Sequence, residues 1–279
     1  IGGPAMTRAA AKNFLNVLVA VDPKDYEWVG QLLLSGNISV SDRRRLAAKA
    51  FQHVAFYDSL IADYLFEDSK SEQYRDKLTN AWERVSLPRY GENPHQSAAI
   101  YKHANEKGGI VNATKLHGID MSYLNYYDAD AAWSAVTSFH QPCVAIVKHS
   151  NPCGLAISQD QTEAYKRAFS GDPVSAFGGI VGFNTKVSEN TAKAMEGIFL
   201  DVIVAPSYET RALDILTKRK KTRILQVHPD TDSPIMIRSV SGGVLLQESD
   251  LNDDKPDTWS TVSKATPSKK TNEDLRFAW

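Results

Sequence analysis

The chain has 279 residues, 42% hydrophobic and 23% charged, enough for one large or two ordinary domains with a sizeable core. Its formal charge of −1 excludes a general attraction to nucleic acid or an anionic membrane, so phosphate recognition has to be local and small molecules are the expected partners. Two cysteines ten positions apart, Cys143 and Cys153, exclude a disulfide framework and a zinc-finger spacing; with no secretory signal and no apolar run near the roughly 20 residues of a membrane helix, the expected location is the cytoplasm.

The opening Ile1-Gly2-Gly3-Pro4-Ala5 lacks an initiator methionine, and the closing Asp274-Leu275-Arg276-Phe277-Ala278-Trp279 reads as an amphipathic helix cut short. Both ends predict an internal piece of a longer polypeptide. Pro4 and the run Arg8-Ala9-Ala10-Ala11-Lys12 predict a helix over 4–13, followed by a buried strand over 17–21. Asp22-Pro23 marks a turn, and 25–34 reads as a helix stopped by Ser35-Gly36. Ser41 is the expected N-cap of a long helix reaching Phe66, with apolar residues at Leu46, Ala50, Phe51, Val54, Ile61 and Leu65. Its basic start, Arg43-Arg44-Arg45, fits a partner surface or a phosphate, although a solvated face is the simpler reading.

Residues 67–77 are polar without an apolar period and read as a linker, which puts the domain boundary at 1–80 and 81–279. Strands are expected over 82–87 and 98–101, separated by the irregular Pro88-Arg89-Tyr90-Gly91-Glu92-Asn93-Pro94-His95-Gln96, with a turn at Gly108-Gly109. Ser122 should cap a helix running to about His140. Beyond the central strand over 143–147, a helix is expected over 162–170, a flexible elbow over 175–179 and a strand over 180–183. A helix capped by Ser188, a strand over 202–205, a helix over 208–218 and strands over 223–227 and 243–247 follow, with 250–272 mostly loop. Lys218-Arg219-Lys220-Lys221 sits where cations complement a helix C-terminus and is given no nucleic-acid role.

The chemistry concentrates where Cys143-Val144-Ala145-Ile146-Val147, a run apolar enough for a strand covered on both faces, gives way to Lys148-His149-Ser150-Asn151-Pro152-Cys153-Gly154. Ligands in α/β sheets gather at the carboxyl ends of strands, and Asn-Pro with a following glycine predicts a strand-to-helix mouth there. Taken alone, the local pattern fits a solvated loop better than a catalytic pair. Arg89 with Tyr90, Gly178 and Asp201 also fall beside strands or in glycine-bearing loops. Together these residues would supply a base, two cations, a carboxylate and an aromatic wall, an inventory that suits a nucleotide.

His149 is then the natural general base, and Lys148 would depress its pKa and stabilise negative charge growing on a carbonyl. Cys153 reads as a nucleophile or, better, as a small packing residue. Asn151-Pro152-Cys153 has the look of a zinc-deaminase helix start, but position 156 is Ala156 and no His-x-Glu precedes it, so no metal is expected.

Five motifs occur together and in order: Arg89-Tyr90-Gly91-Glu92-Asn93-Pro94-His95-Gln96, Asp128-Ala129-Asp130-Ala131-Ala132, Lys148 to Gly154, Phe177-Gly178-Gly179, and Val204-Ala205-Pro206-Ser207-Tyr208-Glu209. They closely resemble the bifunctional purine biosynthesis enzymes that join phosphoribosylaminoimidazolecarboxamide (AICAR) formyltransferase to IMP cyclohydrolase. The first thirteen residues resemble the late part of that family's cyclohydrolase domain, so the resemblance spans the chain.

The resemblance implies an α/β chain made of the end of a methylglyoxal-synthase-like cyclohydrolase domain with helices, then the first cytidine-deaminase-like unit of the formyltransferase domain. It implies that His149 takes a proton from the AICAR amine as that amine attacks the formyl group of the cosubstrate 10-formyltetrahydrofolate, while Lys148 steadies the transition state. Arg89, Tyr90, Gly178 and Asp201 match positions that hold AICAR, and Asn125 matches a polar position nearby. Lys12 matches a lysine of proton transfer in closure of formyl-AICAR to IMP. The family shares its sites across a homodimer, and its remaining segments supply further AICAR contacts and most of the folate site. The expectation is therefore that this chain alone is inactive; a non-catalytic nucleotide-binding module is the alternative.

Overall fold

The computed structural model describes residues 2–67, 74–229, 235–250 and 258–279. The chain divides into a unit over Ile1–Thr231 and a smaller one over Asp232–Trp279. In the first unit, α1 (Gly2–Lys12), α2 (Tyr26–Ser35) and α3 (Val40–Glu67) precede β1 (Trp82–Ser86) and β2 (Ile100–His103), which form an antiparallel pair of their own. Then come β3 (Thr114–His117), α4 (Tyr123–Thr137), β4 (Cys143–Lys148), β5 (Asn151–Ile157), α5 (Gln161–Gly171), β6 (Ile180–Phe183), α6 (Glu189–Ala194), β7 (Val202–Ala205), α7 (Thr210–Leu216) and β8 (Arg223–Gln226).

The main sheet has six strands in the order β3-β8-β7-β6-β4-β5, with β6, β7 and β8 parallel and the other pairings antiparallel. Alternate side chains enter two cores. Val144, Ile146, Val181, Phe183, Ile203 and Ala205 pack with α5, α6 and α7, while Ala145, Val147, Ile180, Val202 and Val204 pack with Ala129, Ala132, Trp133 and Val136 of α4. Burial on both faces explains why these strands are continuous apolar runs, and the fold is a mixed α/β sandwich. Helix α5 lies so close to β5 that a Cβ on Gly154 would stand 1.9 Å from the carbonyl oxygen of Ala168, so only glycine fits.

Several expectations are corrected here. Residues 17–21 form no strand; Val19 and Val21 spend their apolar surface against Ala11, Ala47 and Ala50 of α1 and α3. The long helix is capped by Ser39, two residues before the expected Ser41: the Ser39 hydroxyl accepts from the Asp42 N–H, and the Asp42 carboxylate accepts from the Ser39 N–H. Its arginines hold local layers together. Arg45 lies 4.7 Å over the Trp28 ring, Arg44 lies 5.5 Å over Phe14, and Arg43 donates to the Leu15 carbonyl.

Helix α7 starts at Thr210, because the buried Tyr208 instead donates its hydroxyl to the carbonyls of Ile203 and Leu225. Strand β3 was missed because three of its four side chains are exposed, which leaves no apolar pattern to read. Residues 68–73 of the expected linker lie outside the described residues.

In the second unit, β9 (Ile235–Val240) and β10 (Gly243–Glu248) form an antiparallel hairpin, and α8 (Lys269–Ala278) is capped by Ser268 inside the stretch expected to be loop. Residues 251–257 of that stretch lie outside the described residues, and β9 was not anticipated. Among the described residues, no helix is long and apolar enough to cross a membrane.

Candidate active site

The expected strand-to-helix mouth is a strand-to-strand hairpin. Lys148 at the end of β4 pairs with Asn151 at the start of β5, leaving His149 and Ser150 as a two-residue loop with φ of 54° and 60°. Two consecutive left-handed residues are the mark of a type I′ turn, which normally uses Asn and Gly because an ordinary L-residue loses about 1 kcal/mol in that region. Here the turn is held from outside. The Asp128 carboxylate accepts from both the N–H and the hydroxyl of Ser150, at 2.9 and 3.0 Å, and the Asn151 amide donates to the His149 carbonyl at 2.8 Å. His149 stands exposed at the tip.

Strand β4 runs antiparallel to β6, so its carboxyl end meets the amino ends of β6, β7 and β8. The residues flanking those ends therefore form one row. Gly178 and Gly179 precede β6; the Gly178 N–H donates to the Phe199 carbonyl at 2.8 Å, and its φ of 72° demands glycine. Asp201 precedes β7 and donates its N–H to the Gly179 carbonyl; Arg223 opens β8 and donates its N–H to the Asp201 carbonyl. Lys148 donates Nζ to the Phe177 carbonyl at 2.9 Å, which ties it to the Gly178 loop. Three inter-strand spacings separate β4 from β8, which sets Val147, the residue before Lys148, about 14 Å from Arg223, with which it is aligned through Ile180 and Val202.

Beside this row opens a cleft of ≈ 620 Å³ whose lining includes Arg89, Tyr90, Lys115, Asp120, Tyr126 and Arg223. Arg223, 8% exposed, donates two bonds to the Asp120 carbonyl and reaches the Asp201 carboxylate at 3.4 Å. Burial lowers its pKa from the usual arginine range, and the carboxylates of Asp201 and Asp120 oppose that shift. Lys115, 2.8 Å from Asp120, holds that carboxyl below its ordinary value. Arg89 is exposed, with its guanidinium 5.5 Å over the neighbouring Tyr90 ring. Asp172 is kept low by its bonds to Ser175, with a smaller contribution from the Lys148 charge.

Lys148, His149, Gly178 and Asp201 thus share one sheet end, and Arg89 and Tyr90 line the adjoining cleft that Asp201 reaches through Arg223. Asn125 is 7% exposed and closes the start of α4: its side-chain oxygen accepts from the Ser122 N–H while the Ser122 hydroxyl accepts from the Asn125 N–H. Lys12 is exposed in the last turn of α1, a helix packed on α3, and is not part of the sheet-end row. Cys153 lies within β5 instead of at a helix start, which removes the basis of the zinc-deaminase likeness.

The sequence reading missed Arg223, Asp120 and Lys115. Arg223 carried a signal, a charge opening the otherwise apolar Arg223-Ile224-Leu225 stretch, but Asp120 acts mainly through its backbone carbonyl and offered none.

A family description, the AICARFT/IMPCHase bienzyme, matches residues 10–279. The chain belongs to this AICARFT/IMPCHase family. It is 43% identical over 287 residues to the bifunctional purine biosynthesis protein PurH of Mycobacterium marinum (strain ATCC BAA-535 / M), covering all of this chain and 55% of that protein. The PurH proteins of Thermoanaerobacter sp. (strain X514), at 44% over 280 residues, and Mycobacterium ulcerans (strain Agy99), at 43% over 287, are covered to the same extent. The chain spans about half the length of the curated relatives it matches. The AICARFT/IMPCHase match takes in α2 and α3 as well as the sheet.

Proposed function

We propose that this chain carries the nucleotide-holding half of an AICAR formyltransferase site together with the end of an IMP cyclohydrolase domain, with the division near residue 80. The observation that carries this reading is the convergence of Lys148, His149, Gly178, Asp201 and Arg223 on one end of the sheet, beside the cleft lined by Arg89 and Tyr90.

In this reading AICAR lies along the row with its anionic part toward the cations of the cleft and its amine toward His149. The amine is a weak nucleophile, because its lone pair is conjugated into an electron-poor ring. As its nitrogen attacks the formyl carbon of 10-formyltetrahydrofolate, His149 accepts the amine proton, the new N–C bond forms, and the bond to the folate nitrogen breaks as that nitrogen takes up a proton. Lys148, held by the Phe177 carbonyl, places a positive charge where the formyl oxygen becomes anionic. Lys12 belongs to the second step, ring closure of formyl-AICAR to IMP with loss of water. Asn125 acts on this site through the cap that orients α4. The chain is read as a methylglyoxal-synthase-like end over 1–80 followed by a cytidine-deaminase-like unit over 81–279, in a cytoplasmic homodimer that needs no metal.

Because the chain spans 55% of its PurH relatives, the folate contacts and the remaining AICAR contacts are assigned to segments beyond it, and the chain alone turns over neither reaction at a useful rate. The test is formyl transfer from 10-formyltetrahydrofolate to AICAR, measured with the chain and with a full-length enzyme containing it. Turnover by the chain equal to that of the full enzyme overturns the half-site reading, and undiminished transfer by the full enzyme carrying His149→Ala overturns the assignment of the base.

A further inference from the structure

We infer that Asp128 is a positioning residue for the proposed chemistry: through Ser150 it holds the left-handed turn that aims His149. This rests on the reading of His149 as the base and adds a residue that never touches the substrate.

Three observations carry it. First, His149 and Ser150 occupy consecutive left-handed positions without the Asn-Gly chemistry that makes such a turn self-sustaining, so their conformation depends on outside contacts. Second, one Asp128 oxygen accepts both the N–H and the Oγ–H of Ser150. Those two bonds act on the second turn residue itself and resist rotation of its backbone, whereas the Asn151 amide secures only the His149 carbonyl.

Third, Asp128 has a rigid base. It sits in α4 three residues after Asn125, and that helix is locked at its start by the Ser122–Asn125 capping box. Next to Asp128, Ala129 is wholly buried, and Ala132, Trp133 and Val136 bury the same helix against β4 and β6. A carboxylate fixed to the sheet core thus determines the direction of an exposed imidazole at the sheet edge. Neither composition nor spacing distinguishes Asp128 from Asp130 two residues on.

The experiment compares Asp128→Ala, Asp128→Asn and the double variant Asp128→Ala/Ser150→Gly. In the chain itself, hydrogen exchange of the Ser150 amide reads the turn: Asp128→Ala should speed it about tenfold, the factor one hydrogen bond of ordinary strength supplies. In a full-length enzyme containing this sequence, Asp128→Ala should lower kcat for formyl transfer up to about 10²-fold, as misplacement of a reacting group does, with KM for AICAR little changed.

Asp128→Asn keeps an acceptor oxygen and should recover much of the rate. Ser150→Gly in the alanine background should recover it too, since glycine adopts a left-handed φ without support; a loss of rate through damage to α4 would not be rescued that way. Unchanged Ser150 exchange and unchanged kcat in Asp128→Ala overturn the positioning role, as does failure of both rescues. Undiminished activity of His149→Ala, by contrast, overturns the base assignment while leaving the exchange result standing, so the two readings fail separately.

Discussion

Arg223 and Asp201 meet at 3.4 Å across the amino ends of β8 and β7, the arginine 9% and the aspartate 37% exposed in their side chains. The guanidinium is withdrawn from water while its partner stays half in it, so the two substitutions are unequal. Asp201→Ala should cost about 1 kcal/mol, because water reaches the vacated position. Arg223→Ala should cost about 3 kcal/mol, since it also leaves the Asp120 carbonyl without its two donors. Urea unfolding midpoints at constant slope measure both, and the double variant gives the coupling.

Two glycines make opposite predictions. Gly154→Ala drives a methyl to 1.9 Å from the Ala168 carbonyl oxygen and should destabilise by about 3 kcal/mol or more, because β5 and α5 must separate along the backbone. Gly30 lies inside α2 with nothing within 4 Å of its would-be Cβ, so Gly30→Ala should stabilise by about 0.5–1 kcal/mol. Thermal melting of the two variants against the parent reads both signs at once.

The thiols should be sluggish in the native chain and unequal. Cys143, 1% exposed, has its pKa pushed up to about 12 by burial. Cys153 is raised as well, first by burial and next by the Asp172 carboxylate, but it is half-buried. At pH 8 a disulfide reagent should modify Cys153 slowly and Cys143 only after denaturation, and Asp172→Asn should speed the first reaction.

Acid should weaken the molecule at identifiable places. Lys49 binds both Asp22 and Asp25 at 2.7 Å, and Asp22 is held below the usual carboxylate value mainly by that bond. Asp120 and Glu189 are lowered in the same way, by Lys115 and by Lys193. A carboxyl whose folded pKa is depressed adds stability above its unfolded value, near 4, and loses it as pH falls toward the folded value. Melting temperature should therefore decline below about pH 4, and Lys49→Met should flatten part of that decline; a profile unchanged by the substitution excludes this cluster as a source.

Much of the fold was legible because the central strands are covered on both faces, so 143–147, 180–183 and 202–205 were apolar without interruption. Strand β3 and the Asn151–Ile157 strand escaped for the opposite reason: they are sheet edges, half exposed, and their identity depends on pairing partners far away in sequence. Lys148 and His149 were recognisable as a chemical cluster, but their surroundings were not, because the reversal of β4 against β6 is a long-range property. The hairpin hid behind its own sequence, since His-Ser is not a pair that announces a left-handed turn.

That reversal of β4 also fixes a length. The gap between the His149 turn and Arg223 is spanned by backbone ladders through β6 and β7, so it comes in strand widths and cannot be retuned by exchanging side chains. The sheet end is a fixed gauge, whereas Arg89 and Tyr90 stand on the irregular Pro88–Gln96 loop, outside the ladder. If the proposed site holds its ligand along this row, ligands longer or shorter than the gauge have to be met by that loop, and attempts to alter substrate size begin there.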